Sequence, residues 1–177
     1  SASFASALLV DCVFEWCSFR YAAFQQAVMS SVRLHSVCLS YADLSEAVLT
    51  GARLTFCQNG EENRFDREYY RRPGQTAEDG PPSAVYEDSW DGRQLGPAFF
   101  VNLEKCVLSQ ARIHNYNFTG SRMSSANFSD ALVEHCVLDR CYGQRASFQN
   151  AVVKHCRFSF AMFSLVDLSY AQIAGCD

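Results

Sequence analysis

Nine cysteines and four histidines are the residues of this chain best equipped for chemistry. Thiolates form disulfides, bind zinc and attack electrophiles, while imidazoles bind metals and move protons. Cys136, Cys156 and Cys176 recur every twenty residues, and His135 and His155 stand one place before the first two. No Cys-x-x-Cys pair supplies half a zinc site, and no carboxylate recurs at the histidine spacing. We therefore expect no metal and no cofactor. No serine sits in a nucleophile elbow, and there is neither a phosphate-cradling glycine loop nor a His-Glu-x-x-His pair. The chain on its own reads as non-enzymatic. Asn117-Phe118-Thr119 and Asn127-Phe128-Ser129 fit the glycosylation sequon, but a wider repeat produces them and no glycan is assigned.

A second kind of chemistry is recognition. Between Gln58 and Ala98 the chain is polar and rich in proline and glycine, as at Gly80-Pro81-Pro82, and it carries nine acids and five arginines. Phe65, Tyr69, Tyr70, Arg71, Arg72, Tyr86 and Trp90 are the aromatic and arginine types that anchor protein interfaces. Glu61 to Arg72 has the spacing of a short helix, with Phe65 and Tyr69 on one side. Three readings of this segment stay open: it binds a partner, it packs back on its own domain, or it is disordered.

The rest of the chain must position these residues, and it does so on a beat of five. Large apolar residues stand at every fifth place from Phe4, Leu9 and Phe14 to Leu54, with a small or compact residue two places before each, from Ala2 to Ala52. The beat resumes from Leu103 to Ile173. A period of five fits neither helix nor strand, so it describes a repeated backbone unit with two inward positions, and the chain is a solenoid. Gly143, Tyr116 and Ser121 break the pattern and predict local distortion. Eight cysteines fall at the small inward position, where a thiol acts as a larger alanine. Only Cys38 falls one place off and is expected to face outward. Reduced thiols point to a cytoplasmic compartment.

Ala42-Asp43-Leu44-Ser45-Glu46 and Ala126-Asn127-Phe128-Ser129-Asp130 carry a resemblance to the pentapeptide-repeat family. The resemblance implies an all-β fold: a right-handed, four-sided parallel β-helix whose twenty-residue coils each hold four pentads, interrupted by one long inserted loop. The expected organisation is one domain, with β-helix over residues 1–57 and 99–177 and the insertion over 58–98. At about 4.8 Å per coil the rod would be roughly 30 Å long. Stacked cysteines on one side would be poorly aimed for bridging. The position before each centre then faces outward, and Leu8, Val28 and Val48 occupy it at intervals of twenty, as an apolar stripe. Leu132 and Val152 repeat the pattern.

Charge separates the functional classes. Of 19 acids and 15 bases, the insertion holds nine and five, leaving ten of each and a neutral repeat body. The resemblance extends to the quinolone-resistance proteins that mimic DNA and bind gyrase, but a DNA mimic needs a strongly negative surface. No basic stripe stands out, so direct nucleic-acid binding is not expected, and no apolar run is long enough for a membrane span. The expected function is a non-enzymatic protein-binding module, such as the β-helical region of a larger bacterial effector. It would act in the cytoplasm or inside a host cell, on another protein or another domain of the parent chain. The gyrase-binding DNA mimic is the alternative. Without polar caps at either end, the chain is expected to be a piece of a longer protein.

Overall fold

The computed structural model describes residues 2–55, 96–98 and 100–177. Each pentad is a short extended step followed by a turn. In the first, Ala7 N–H donates to the Phe4 carbonyl (2.9 Å), and Ser6 between them has φ 56°. Positive φ at the third residue of a turn marks type II geometry, which glycine or asparagine adopts most easily. Here every fifth residue adopts it, including Trp16, Phe100 and Leu165, at φ of 52–54°. Neighbouring coils hold these corners in place, since Ser6 N–H donates to the Gln25 carbonyl at 2.8 Å and Phe4 N–H to the Ala23 carbonyl at 2.7 Å.

The result is a right-handed, four-sided solenoid of about 6 turns. Its first face is a seven-stranded parallel sheet. The strands are β1 (Val13–Glu15), β2 (Arg33–His35), β3 (Arg53–Thr55), β5 (Arg112–His114), β7 (Leu132–Glu134), β8 (Val152–Lys154) and β9 (Gln172–Ala174). On the second face β4 (Gly96–Pro97) pairs with β6 (Tyr116–Asn117). Isolated parallel bridges tie the third face, as Ala23 to Asp43, and the fourth, as Val28 to Val48. Phe24, Met29, Leu34, Leu39, Leu44 and Leu49 fill the axis fully buried, as the five-residue beat requires. Rings in one column report the coil spacing directly: Phe4 stacks on Phe24 at 4.8 Å and Phe128 on Phe148 at 4.7 Å.

The interruption is in register. Arg33 pairs with Arg53 one coil on, whereas Arg53 pairs with Arg112. The step grows from 20 residues to 59, which is 39 more than one coil needs, and the wall continues in register on either side. Solenoid pairing has resumed at Gly96 and Pro97, and Ala98 is already in the core.

The expected distortions do not occur, because neighbouring coils compensate. Gly143 stands at a centre position, and a Cβ there would fall within the ring of Phe163, which fills the missing volume from the next coil. Tyr116 is large at a small position, but its partner Gly96 has no side chain. The buried ring reaches past that coil, and its hydroxyl donates to the Val37 carbonyl at 3.0 Å. Ser121 accepts from Val101 N–H (3.0 Å) and donates to the Ala98 carbonyl (3.2 Å).

Seven of the eight cysteines expected inward belong to the core or pack against it; Cys57 lies outside the described residues. Burial pushes the Cys106 and Cys141 thiols up to about 12. Cys38 requires a correction. It holds the outward position of the second face, bridged to Ser18, yet it is 0% exposed, and Asn117 (2%) and Val137 (1%) on that face are buried too. The pentad sets the direction of a side chain, whereas burial depends on what lies over the face. Burial raises the Cys38 thiol, opposed by hydrogen bonds with Ser40 and Ser18.

Two outcomes are expected. Gly143→Ala forces the Phe163 ring off its contacts with Phe148 and Phe158 and destabilises by about 1–3 kcal/mol in denaturant titration; adding Phe163→Leu recovers part of that loss. Deleting residues 57–95 restores an unbroken twenty-residue step and leaves a cooperatively melting β-solenoid. Deletions one residue shorter or longer insert a phase error and melt at lower temperature, as circular dichroism would record.

Candidate partner-binding surface

At some rungs of the third and fourth faces the outward position holds Asp or Asn: Asp43 accepts from Ser45 N–H (3.0 Å), Asn102 from Glu104 N–H (3.1 Å), Asn127 from Ser129 N–H (2.9 Å) and Asp167 from Ser169 N–H (2.9 Å). An Asp or Asn just before the centre thus closes a local Asx turn and satisfies a wall amide. Leu8, Val28 and Val48 stand in that position and have no acceptor to offer.

The structure brings these three together. Leu8 bridges to Val28 and Val28 to Val48, and the column continues to Val107 before turning polar at Asn127, Ser147 and Asp167. Leu8 is 74% exposed, while Val28, Val48 and Val107 are half-buried in the wall. Four rungs at the ring spacing of 4.8 Å give an apolar strip about 14 Å long. Its rims are polar. On one side Gln26 donates to Glu46 (3.1 Å) and Lys105 to Glu46 (2.9 Å), which holds the Glu46 carboxyl below the usual range, by Lys105 first and Gln26 second. On the other, Thr50 and Ser109 hydroxyls meet at 3.4 Å. At its N-terminal end Val10, Val13 and Trp16 extend the apolar surface around the first coil.

Leu132 and Val152 do not join this strip. They are partners in β7 and β8 on the first face. Phe65, Tyr69, Tyr70, Arg71, Arg72, Tyr86, Trp90 and the helix expected over Glu61 to Arg72 lie outside the described residues. The insertion is rooted between Thr55 on the first face and Gly96 on the second, so its base and the apolar strip sit on different sides of the rod.

Two groupings escaped the sequence reading. Val107 belongs to the strip, but its step from Val48 is 59 residues instead of 20. Tyr21, Tyr41 and Phe100 stack in one corner column at 5.0 and 5.5 Å, with the Arg20 guanidinium over both tyrosines at 5.0 and 5.5 Å. The expectation of no basic stripe also needs correction, since Arg33, Arg53 and Arg112 form one column on the first face. The histidines do stack: His135 lies on His155 at 5.0 Å, with the edge of His114 at 5.3 Å. Among the described residues no three His, Cys, Asp or Glu side chains converge as a metal site. No helix among them is long and apolar enough to cross a membrane.

A four-sided parallel solenoid with a left-handed residue every fifth place and an inward pair in each pentad defines a class of protein. The chain belongs to the pentapeptide-repeat family: the model of pentapeptide repeats matches in 8 copies, over residues 1–35, 27–58, 102–140, 121–159 and 144–177. Among solved structures it is similar to HetL, a pentapeptide repeat protein involved in heterocyst differentiation regulation from the cyanobacterium Nostoc sp. strain PCC 7120. The identity is 16%, with 97% of this chain and 86% of that one covered at TM-score 0.42. It is also similar to a pentapeptide repeat protein from the cyanobacterium Cyanothece 51142, with 12% identity, 99% and 86% coverage and TM-score 0.31. A third is a trypsin-treated form of QnrB1, a plasmid-mediated fluoroquinolone resistance protein, with 15% identity, 97% and 77% coverage and TM-score 0.40. No curated protein matches.

If the strip serves recognition, polar replacement there leaves the fold intact. Val28→Asn and Val48→Asn each supply the acceptor found at Asn127, and each is expected to change stability by no more than about 1 kcal/mol in either direction. A loss well beyond that in thermal or urea unfolding would make the strip structural.

Proposed function

We propose that this chain is a non-enzymatic protein-binding module. It acts as the β-helical region of a larger bacterial protein of effector type, in the cytoplasm or inside a host cell. Its partner is another protein or another domain of the parent chain. The observation that carries this reading is the run Leu8, Val28, Val48, Val107, where four consecutive coils stack apolar side chains at the outward position. An apolar centre with a polar rim is the anatomy of a recognition surface. The insertion contributes the second contact through Phe65, Tyr69, Tyr70, Arg71, Arg72, Tyr86 and Trp90, the residue types that dominate interface energetics.

The DNA-mimic alternative draws no support from the charge. The repeat body is neutral, and on its first face the stacked charges are arginines, opposite in sign to the phosphates a mimic must imitate.

Quantitative cross-linking mass spectrometry in a lysate, with three forms of the chain, tests the proposal. The intact chain is expected to enrich a defined partner. Val28→Asp/Val48→Asp and the 57–95 deletion are each expected to reduce that enrichment about tenfold. An enriched set unchanged by both variants would sink the reading. Inhibition of purified gyrase in a supercoiling assay would replace it with the alternative.

A further inference from the structure

Several charges on this rod are paired between neighbouring coils. Lys105 meets Glu46 at 2.9 Å, Arg122 meets Glu104 at 2.6 Å, and Arg157 Nε donates to Asp139 at 2.8 Å. The first face does the opposite. Arg33, Arg53 and Arg112 are Cα partners in β2, β3 and β5, and all three are exposed. None of them has an ion pair or hydrogen-bond partner among the described residues. Like charges directly opposite on adjacent strands are destabilising. The wall does not require arginine there, since Val13, Leu132 and Val152 occupy the same column. A cost that the fold does not demand points to a ligand that neutralises it.

The surroundings restrict that ligand. A groove of about 430 Å³ opens beside Arg33 and Arg53, lined by Asp11, Val13, Ser31, Arg33, Gly51 and Arg53, and Arg112 continues the column one rung beyond it. Gly51 keeps it open, for the nearest atom to the place of its absent Cβ is Ser31 Oγ at 3.8 Å. This is the size of a small-molecule site. Three rungs at the ring spacing of 4.8 Å set the outer arginine Cα atoms about 10 Å apart. Acids bound the column at both ends: Asp11, on the edge of the groove itself, and Glu15 stand one coil before Arg33, and Asp130 and Glu134 one coil after Arg112. A short oligoanion fits between these limits, whereas a longer polyanion runs onto carboxylates at both ends.

We propose that Arg33, Arg53 and Arg112 bind the triphosphate group of a small ligand. Each guanidinium presents a planar fork of donors matched to phosphate oxygens. The Ser31 hydroxyl in the groove adds a neutral donor. The site is independent of the protein-binding strip, which lies on the adjoining fourth face.

Isothermal titration of the whole chain at low salt, free of divalent metal, tests this with inorganic tripolyphosphate and with ATP. Saturable binding of both is expected, weakened about tenfold or more by Arg53→Gln. Binding of tripolyphosphate alone also supports the site and narrows the ligand to a free oligophosphate. The variant Arg33→Gln/Arg53→Gln/Arg112→Gln loses binding while melting no lower than the intact chain. The control Arg122→Gln/Arg140→Gln/Arg145→Gln, of equal net charge, keeps affinity within about twofold. Absence of saturable tripolyphosphate binding, equal losses in the two triple variants, or orthophosphate binding as tightly as tripolyphosphate would each overturn the proposal. So would a single-stranded oligonucleotide that outcompetes tripolyphosphate.

Discussion

A backbone that turns through a left-handed residue every five positions constrains everything else in this molecule. Side chains other than glycine and asparagine enter that region at a cost of roughly 1–2 kcal/mol each. Trp16, Tyr21, Phe160 and Leu165 all do so, with φ between 52° and 58°. No single pentad could sustain this alone. The conformation persists because each coil hydrogen-bonds the next at every face, as Ser6 to Gln25 and Gln26 to Ser45 at the same corner (2.8 and 3.0 Å). Corner and ladder therefore stabilise each other, and the fold is cooperative along its axis while remaining built from local parts.

That arrangement converts sequence into columns. Residues twenty apart become neighbours at about the 4.8 Å separating Phe4 from Phe24, so a column's chemistry is set by repetition. Phenylalanine above phenylalanine stacks its rings. Glutamate beside lysine pairs, as Glu46 and Lys105 do. Valine above valine makes a strip, and arginine above arginine concentrates charge. Inward columns are governed by volume and can trade it between coils, as Phe163 does for Gly143 and Tyr116 for Gly96. Outward columns escape that rule, which leaves them available for recognition.

The parts of this structure legible in the sequence were those that depend on one residue and its own pentad. The axis residues, the inward cysteines and the stack of His135 on His155 follow from counting alone. Relations across the interruption were not legible. Val107 and Arg112 complete columns begun by Val48 and Arg53, but a step of 59 residues is no multiple of five, and counting loses them. Compensation was equally hidden, because Gly143 and Tyr116 look like faults until the residue one coil away is known. Cys38 failed for another reason: its pentad position gives its direction and says nothing of what covers the second face. The aromatic and arginine residues between Phe65 and Trp90 obey no repeat, so the rule that orders the rest does not reach them.

The two outward columns sit on adjoining faces and overlap in three coils. Val28, Val48 and Val107 continue the apolar strip that begins at Leu8, while Arg33, Arg53 and Arg112 accept like-charge repulsion. Both runs end within a coil or so of one another, at Asn127 and Leu132. Beyond them the fourth-face column stays polar at Ser147 and the first-face column stays uncharged at Val152. Their overlap sets an apolar strip and a charged one side by side in the coils that flank the interruption.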